Sequence, residues 1–159
     1  MAIYYFDTSA LVKLYITEKG TQWVDRVARS HDEHGTPLHV IVFSRIGIVE
    51  TGAAIARRAR TGDISREDQQ ILYQDFMKAS AQSFTTVALI DEVIMLASGL
   101  TQQYVLHGYD AVHLATALAY NKQLVFARQP ALIFVSADTA LLQAAAAEGL
   151  TADNPNNHP

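Results

Sequence analysis

The sequence predicts an α/β fold, a three-layer α/β/α arrangement around a central, mostly parallel sheet of four to five strands. Three observations support this prediction. Short strand-like runs alternate with longer segments of helical periodicity along the chain. Half of the 159 residues are hydrophobic and 18% are charged, which is enough apolar surface for a sizeable core. Acidic residues stand at the ends of the first and last strand-like runs, where parallel sheets place their ligand sites.

The chain begins with a strand that is followed by helices. Residues 3–7 (IYYFD) are mostly β-branched and aromatic, which predicts a strand ending in an acid. Helix-forming residues follow directly in DTSALVKLY, and apolar residues at helical spacing predict a further helix at 21–29. The polar stretch 30–37 is typical of a loop.

A second strand and two more helices are expected next. The apolar run 38–43 predicts a strand, and Ser44 is well placed to cap a helix over residues 45–60. A Thr-Gly pair then ends that helix. Ser65 is followed three residues later by Asp68, which resembles a capping box and predicts another helix.

The second half of the chain continues the alternation. Residues 84–88 and 132–136 have the composition of strands. Helical periodicity predicts helices at 90–104, 109–121 and 139–148. Such alternation favours a parallel sheet with helices on both faces.

Length and composition predict one domain over residues 1–151 and a disordered polar tail at 152–159. The absence of cysteine excludes disulfides, thiolate zinc sites and a cysteine nucleophile. The chain shows no secretory signal and no run approaching roughly 18 apolar residues. We therefore expect a soluble, cytoplasmic protein that does not associate with membranes.

Four acidic residues stand apart from the rest. Asp7 ends the first strand, and Asp138 lies two residues beyond the last. Glu50 lies in the helix after the second strand, on the face expected to pack toward the sheet, and Asp110 opens a strongly apolar helix. The net charge of −4 would argue against a nucleic-acid ligand if it were spread evenly, but these four residues equal the difference between 16 acidic and 12 basic residues.

Convergence of these four carboxylates would require a counter-ion. Two unit charges ~4 Å apart repel by roughly 4 kcal/mol at an effective dielectric constant of about 20. No lysine or arginine in the motifs around these four acids is an obvious salt-bridge partner. Mg²⁺ and Mn²⁺, by contrast, favour all-oxygen ligands. One or two such cations could polarise a phosphodiester and brace the departing oxygen during in-line displacement. The residues therefore predict metal-assisted phosphodiester hydrolysis.

Four segments in order along the chain also carry a family resemblance. They are YYFDTSALVKLY at 4–15, FSRIGIVETGAAIARR at 43–58, LHGYDAVHLATAL at 106–118 and FVSADTALLQAAAAEGL at 134–150. Together they resemble the PIN-domain family, in particular ribonucleases of the VapC toxin type. The resemblance implies a PIN-like fold and a Mg²⁺- or Mn²⁺-dependent endoribonuclease. It also implies an RNA substrate, a cognate VapB-like antitoxin protein of a type II toxin-antitoxin pair, and a homodimer.

The resemblance assigns roles to individual residues. The acidic quartet of the family, which is catalytic and binds metal, corresponds to Asp7, Glu50, Asp110 and Asp138. The small hydroxyl residues that accompany its first and last acids correspond to Thr8, Ser9 and Ser136. We expect these three to act as helix caps and as hydrogen-bond partners that orient the carboxylates.

Basic residues near these motifs are candidate RNA contacts. His107 stands three residues before the third acid, where many relatives have arginine, so phosphate affinity there is expected to depend on pH. Arg45, Arg57 and Arg58 belong to the predicted helix that carries Glu50. The arginines at the end of this helix fit an RNA-binding patch and an ordinary solvated helix end equally well.

Structural interpretations compete with some of these assignments. Asp138 could simply be the N-cap of the helix that follows it, and the two roles can coexist. His113 lies three residues after Asp110, which would suit a mixed metal site and even zinc. The apolar stripe around His113 favours a packed histidine instead.

The sequence does not fit two other activities of α/β proteins. A haloacid dehalogenase-type phosphatase needs a second Asp two residues after the first, where this chain has Ser9. A receiver domain needs a lysine late in the chain, but the last lysine, Lys122, precedes the final predicted strand. The remaining alternative is a catalytically silent PIN-fold module that binds RNA or protein.

Overall fold

The computed structural model describes residues 1–158, which form a five-stranded parallel sheet flanked by helices. The spatial order of the strands is β3-β2-β1-β4-β5. Their bounds are Ala2–Phe6 (β1), His39–Ser44 (β2), Thr85–Val87 (β3), Ile133–Val135 (β4) and Thr151–Asp153 (β5). The expected parallel α/β fold is confirmed, with the fifth strand at the C-terminus.

Helices cover both faces of the sheet. Their bounds are Thr8–Val12 (α1), Thr21–Arg29 (α2), Ile46–Arg60 (α3), Arg66–Gln82 (α4), Asp91–Gln103 (α5), Gly108–Phe126 (α6) and Thr139–Ala147 (α7). The apolar faces of α1 to α4 form one hydrophobic core, and those of α5 to α7 form the other. Within residues 1–158, no helix combines the length and the hydropathy needed to cross a membrane.

Strand β1 separates the two cores because its side chains alternate between the faces. Ile3 and Tyr5 belong to the core under α5 to α7, whereas Tyr4 packs on the core under α1 to α4, to which Phe6 belongs. This alternation is the period of two expected of a strand buried on both sides. The three-layer α/β/α arrangement follows from it.

The connectivity of the sheet changes direction beside β1. The chain runs outward from β1 through β2 to β3 and then returns to the opposite side of β1 as β4. Phe6 is in register with Val135, and the backbone amide of Asp7 donates to the carbonyl of Val135 at 3.1 Å. Such a switch point opens a crevice at the carboxyl ends of the strands, where open α/β sheets bind ligands.

The start of α3 differs from the sequence prediction. Ser44 is the last residue of β2 and is fully buried, and its hydroxyl accepts a hydrogen bond from Thr116. The helix begins after Arg45, and no side chain caps it. The prediction of a Ser44 cap is therefore wrong, because this hydroxyl is directed into the core. By contrast, the predicted capping box of Ser65 and Asp68 is confirmed.

The C-terminal segment also differs from the sequence prediction, which placed a disordered tail at residues 152–159. Strand β5 pairs with β4, and a 3₁₀ turn follows at Pro155–Asn157, where the side chain of Asn154 accepts from the amide of Asn156. His158 stacks on Trp23 with ring centroids 4.2 Å apart. The Asn- and Pro-rich composition therefore encodes a capped turn; residue 159 lies outside the described residues.

Candidate active site

Asp7 is the most buried of the four predicted acids, with 5% of its surface exposed. It follows β1 directly and caps α1, because Oδ1 accepts from the backbone amide of Ala10 at 2.9 Å. Ser9 donates to Oδ1 at 2.7 Å, and Ser136 donates to Oδ2 at 2.6 Å. Both carboxylate oxygens are thus fixed in place by donors from two separate segments.

The pKa of the Asp7 carboxyl lies above its ordinary value. Burial raises this pKa, while the neighbouring charge of His113 and the hydrogen bonds from Ser136, Ser9 and Ala10 oppose the shift. Burial therefore has the larger effect, because hydroxyl donors compensate only part of the cost of removing a carboxylate from water. A cation beside Asp7 would supply the missing compensation.

The two serines also join β1 to the segment after β4. Ser9 accepts from the amide of Ala137 at 2.8 Å, and Ser136 accepts from the amide of Asp138 at 3.0 Å. Neither serine caps a helix, so that part of the prediction is wrong: the N-caps of α1 and α7 are the acids themselves. The serine hydroxyls contact the carboxylate of Asp7, as expected for residues that orient it.

Glu50 lies on α3 and its carboxylate contacts a different set of residues. Its Oε2 lies 2.7 Å from His113 Nε2 and accepts from the Thr8 hydroxyl at 2.7 Å. Burial acts to raise the pKa of Glu50, but the hydrogen bond and charge of His113 and the hydrogen bond of Thr8 together lower it below its ordinary value. Thr8 therefore contacts the second acid of the quartet.

Asp110 and Asp138 complete the acidic side of the crevice. Asp110 lies in the first turn of α6, and its pKa is raised by burial and then by the charges of Asp138 and Asp7. Asp138 is exposed and caps α7, with Oδ1 accepting from the amide of Leu141 at 2.8 Å. The structural interpretation of Asp138 is thus confirmed, and only one oxygen of its carboxylate is used by the cap.

All four acids line one cavity of about 370 Å³. The chemistry of this donor set, carboxylate oxygens without thiolates, fits a hard divalent cation. Within residues 1–158, however, no three acidic or histidine side chains stand in a ready-made metal-binding group. The acids therefore share a cavity without forming a closed cage, and Glu50 in particular is drawn toward His113.

A comparison with family models decides the classification of this chain. The model of the PIN domain matches residues 4–147, which include all four acids, most of β1 and the whole of β2, β3 and β4. The chain belongs to the PIN domain family.

Two sequence relatives support the same classification of this PIN domain. Ribonuclease VapC45 of Mycobacterium tuberculosis (strain CDC 1551 / Oshkosh) is 34% identical over 122 residues, which cover 75% of this chain and 77% of the relative. Ribonuclease VapC49 of Mycobacterium tuberculosis (strain ATCC 25618 / H37Rv) gives the same values.

Solved structures share the fold of this PIN domain. The crystal structure of FitAcB from Neisseria gonorrhoeae aligns with a TM-score of 0.64 at 16% identity and covers 99% of both chains. A toxin-antitoxin complex from Klebsiella pneumoniae aligns with a TM-score of 0.56 at 18% identity, covering 96% of this chain and 97% of that chain.

The basic residues of this PIN domain have different surroundings. Arg57 is exposed and lines the acidic cavity, whereas Arg58 is paired with Glu18 at 2.6 Å and with Asp63 at 3.3 Å. Arg45 and His107 are exposed and immediately precede α3 and α6, and neither side chain caps its helix. Of the three arginines, Arg57 is the one that lies at the cavity without an ion pair in the described part of the chain.

Sequence reasoning missed two charged residues of the cavity. Lys13 is buried, donates to the carbonyl of Lys19 at 2.8 Å and lies 3.4 Å from Glu18. Glu18 therefore joins Lys13 to Arg58 beside the cavity. The signal was a lysine between Val12 and Leu14 in an otherwise apolar segment, where a charge is costly unless it is paired.

Proposed function

We propose that this PIN domain is a Mg²⁺- or Mn²⁺-dependent endoribonuclease that acts in the cytoplasm as the toxin of a type II toxin-antitoxin pair. The observation that carries the proposal is the incompletely compensated carboxylate of Asp7, buried at the switch point of the sheet and facing a cavity that the other three predicted acids also line. The two mycobacterial relatives named ribonuclease VapC support RNA as the substrate.

All four acids would contribute carboxylates that bind the cation. Asp7 offers a rigid carboxylate, because two serines and a backbone amide fix it. Asp110 would contribute a carboxylate whose pKa is raised by burial and by the charge of Asp138, Asp138 an exposed carboxylate, and Glu50 an oriented one. A divalent cation bound there supplies Lewis-acid polarisation of a phosphodiester oxygen. Arg57, at the same cavity, would bind a neighbouring phosphate of the RNA.

Asp7→Asn should abolish cleavage while preserving the fold. The asparagine keeps the size of the side chain and an oxygen for the Ser9 and Ala10 donors, but it removes the charge that would attract the cation. Mn²⁺-dependent cleavage of total RNA, with circular dichroism as the check on folding, measures this. Removing one essential ligand should lower the rate by a factor of at least ~10².

A matched control for this experiment is Asp25→Asn. Asp25 is an exposed acid on α2 that pairs with Arg29, so its loss changes the net charge by the same amount without touching the cavity. Asp25→Asn should cleave as the wild type does. Undiminished cleavage by Asp7→Asn would contradict the proposal, and a folded wild type that binds RNA but never cleaves it would favour a silent binding module.

The proposed partners are a cognate VapB-like antitoxin and a second copy of the chain. The likeness to the toxin-antitoxin complex from Klebsiella pneumoniae supports the antitoxin, together with the VapC names of the sequence relatives. Co-purification with the product of an adjacent small open reading frame, together with growth arrest when the chain is expressed alone, would support the toxin role. The homodimer follows from the same family relationship, and the mass in solution at micromolar concentration checks it.

A further inference from the structure

His113 is a buried polar residue beside the cavity to which the proposed cleavage has so far assigned no role. It lies on α6, one turn after Asp110, and is 2% exposed. Its Nε2 contacts Glu50 and Thr8 at 2.7 and 3.1 Å, and its Nδ1 lies 3.1 Å from the Tyr5 hydroxyl. These partners belong to β1, α1 and α3, so the imidazole joins three elements at the crevice.

The geometry shows which ring nitrogen serves Glu50. Nε2 lies 2.7 Å from Glu50 Oε2, and because a carboxylate oxygen only accepts, Nε2 carries a hydrogen and donates it. On the other side of the ring, the Tyr5 hydroxyl lies 3.1 Å from Nδ1. The imidazole is thus held at both nitrogens with Nε2 directed to the carboxylate.

The same arrangement leaves the two oxygens of Glu50 unequal. Oε2 receives one hydrogen bond from His113 and one from Thr8. Within residues 1–158, Oε1 has no hydrogen-bond donor, although Glu50 lines the acidic cavity. A carboxylate held in this way has lost its rotational freedom before any ligand arrives, so binding through Oε1 would cost less conformational entropy.

We propose that His113 is a positioning residue that fixes Glu50 through Oε2 and leaves Oε1 for the divalent cation, while the Tyr5 hydroxyl holds the imidazole at Nδ1. The inference rests on the proposed function, because it concerns the same cation. It also assigns the Asp-x-x-His spacing a role other than direct ligation, since Nε2 is directed to Glu50. Outer partners of this kind typically change metal affinity by about 10- to 100-fold when they are removed.

A purely structural role is the competing explanation. The ring of His113 packs beside Tyr5 with centroids 6.1 Å apart, so its removal will also disturb the core. A structural role predicts a loss of stability and an effect on metal affinity that does not depend on Glu50. A positioning role predicts that the effect on metal affinity disappears when Glu50 can no longer bind a cation.

The experiment measures Mn²⁺ affinity of the full chain by electron paramagnetic resonance of the free ion. His113→Leu should weaken binding by about tenfold or more, and His113→Gln should recover most of that loss because its amide nitrogen can replace Nε2. Tyr5→Phe should weaken binding while leaving Nε2 in place. His39→Leu is the control, because His39 is a partly buried histidine at the opposite end of the sheet whose Nδ1 accepts from Ala2.

The deciding comparison repeats His113→Leu in a Glu50→Gln background. If His113 acts through Glu50, the second substitution adds no further loss of Mn²⁺ affinity, because the effects of coupled residues are not additive. Equal losses in both backgrounds would overturn the proposal. If His113→Leu does not fold, Thr8→Val and Tyr5→Phe in the same two backgrounds make the comparison.

A second measurement does not depend on metal. Two-bond ¹H–¹⁵N spectra of the metal-free protein should show His113 with a hydrogen on Nε2 in the wild type. A ring with its hydrogen on Nδ1 alone would contradict the positioning role. If the wild type binds no Mn²⁺, the proposed function fails and this inference falls with it; normal Mn²⁺ binding unaffected by His113→Leu overturns this inference alone.

Discussion

At the scale of single residues, two acids of one cavity are held under opposite electrostatic conditions. Burial raises the pKa of Asp7 despite hydrogen bonds from two serines, whereas His113 and Thr8 lower the pKa of Glu50 despite its partial burial. The difference lies in burial and in direct contact, because Asp7 is more deeply buried and His113 acts on it only through its charge, whereas Glu50 also accepts a hydrogen bond from His113. The ionised carboxylate of Asp7 therefore lowers the stability of the metal-free protein.

Asp7→Asn should therefore raise the thermal stability of the metal-free protein at neutral pH. A group whose pKa is raised on folding stabilises the fold fully below its unfolded pKa, and that contribution is lost as the pH rises through its folded pKa. At pH 7 the wild type bears this cost and the asparagine variant does not. We expect a rise in Tm of a few degrees, since roughly 1 kcal/mol corresponds to about 2–4 °C for a chain of this size.

The measurement is thermal unfolding in the presence of a chelator at several pH values. The advantage of Asp7→Asn should shrink as the pH falls toward the ordinary range of aspartate, where the wild-type carboxyl becomes protonated. Added Mn²⁺ should reverse the order, because only the wild type would gain stability from binding it. A lower Tm for Asp7→Asn across the whole pH range would show that Asp7 stabilises the metal-free fold.

At the scale of secondary-structure elements, the acids and the elements depend on each other. Asp7 and Asp138 are the N-caps of α1 and α7, so the residues that turn the chain out of β1 and β4 also deliver carboxylates to the crevice. Their positions could be predicted because a strand-to-helix transition is visible in local sequence. The contact between Glu50 and His113 could not, since 63 residues separate them and they meet only because the fold brings α3 and α6, from opposite faces of the sheet, to the same crevice.

The C-terminal segment shows a second limit of local sequence. Its polar composition indicates disorder, but β5 pairs with β4 through backbone groups, which composition does not reveal. The predicted cap by Ser44 is wrong for a related reason. A serine before a helix is a plausible cap in local sequence, but the hydroxyl of Ser44 lies in the core and accepts a hydrogen bond from Thr116. The elements of strong periodicity, such as α3 and α6, differ from their predicted bounds only at the ends.

His158→Ala tests whether the C-terminal segment is fixed to the rest of the fold. The imidazole stacks on Trp23, the only tryptophan in the chain, and pairs with Asp153 of β5 at 2.9 Å. An aromatic pair contributes about 0.5–1.5 kcal/mol beyond its buried area, so the variant should unfold at a Tm a few degrees lower. The emission of Trp23 should also shift to longer wavelength as the ring becomes more exposed.

His34→Ala is the matched control, because His34 is an exposed histidine whose ionic partner among the described residues is Glu33, which is also exposed. It should leave both the Tm and the tryptophan emission unchanged. If His158→Ala also leaves both unchanged, the segment after β4 does not hold its place in solution, and the disorder expected from its composition would describe it better.

At the scale of the whole molecule, the distribution of charge matters more than its sum. Asp7, Glu50, Asp110 and Asp138 equal in number the whole excess of acidic over basic residues. Glu18 of the same cavity pairs with Lys13 and Arg58, so within residues 1–158 Arg57 is the basic residue of the cavity without an ion pair. The metal-free protein therefore presents a negative crevice to RNA phosphates, and a bound divalent cation would reverse this locally.

RNA binding should consequently weaken when divalent cations are removed at constant ionic strength. Anisotropy of a labelled single-stranded RNA, with Ca²⁺ as a hard divalent cation, measures the affinity with and without chelator. Removing repulsion of about 1.4 kcal/mol or more would change the affinity at least about tenfold.

Asp138→Asn should bind RNA more tightly than the wild type without metal, because asparagine preserves the helix cap and removes one charge. Asp25→Asn removes an equal charge far from the cavity and should bind like the wild type; an equal gain from both variants would assign the effect to net charge rather than to the crevice.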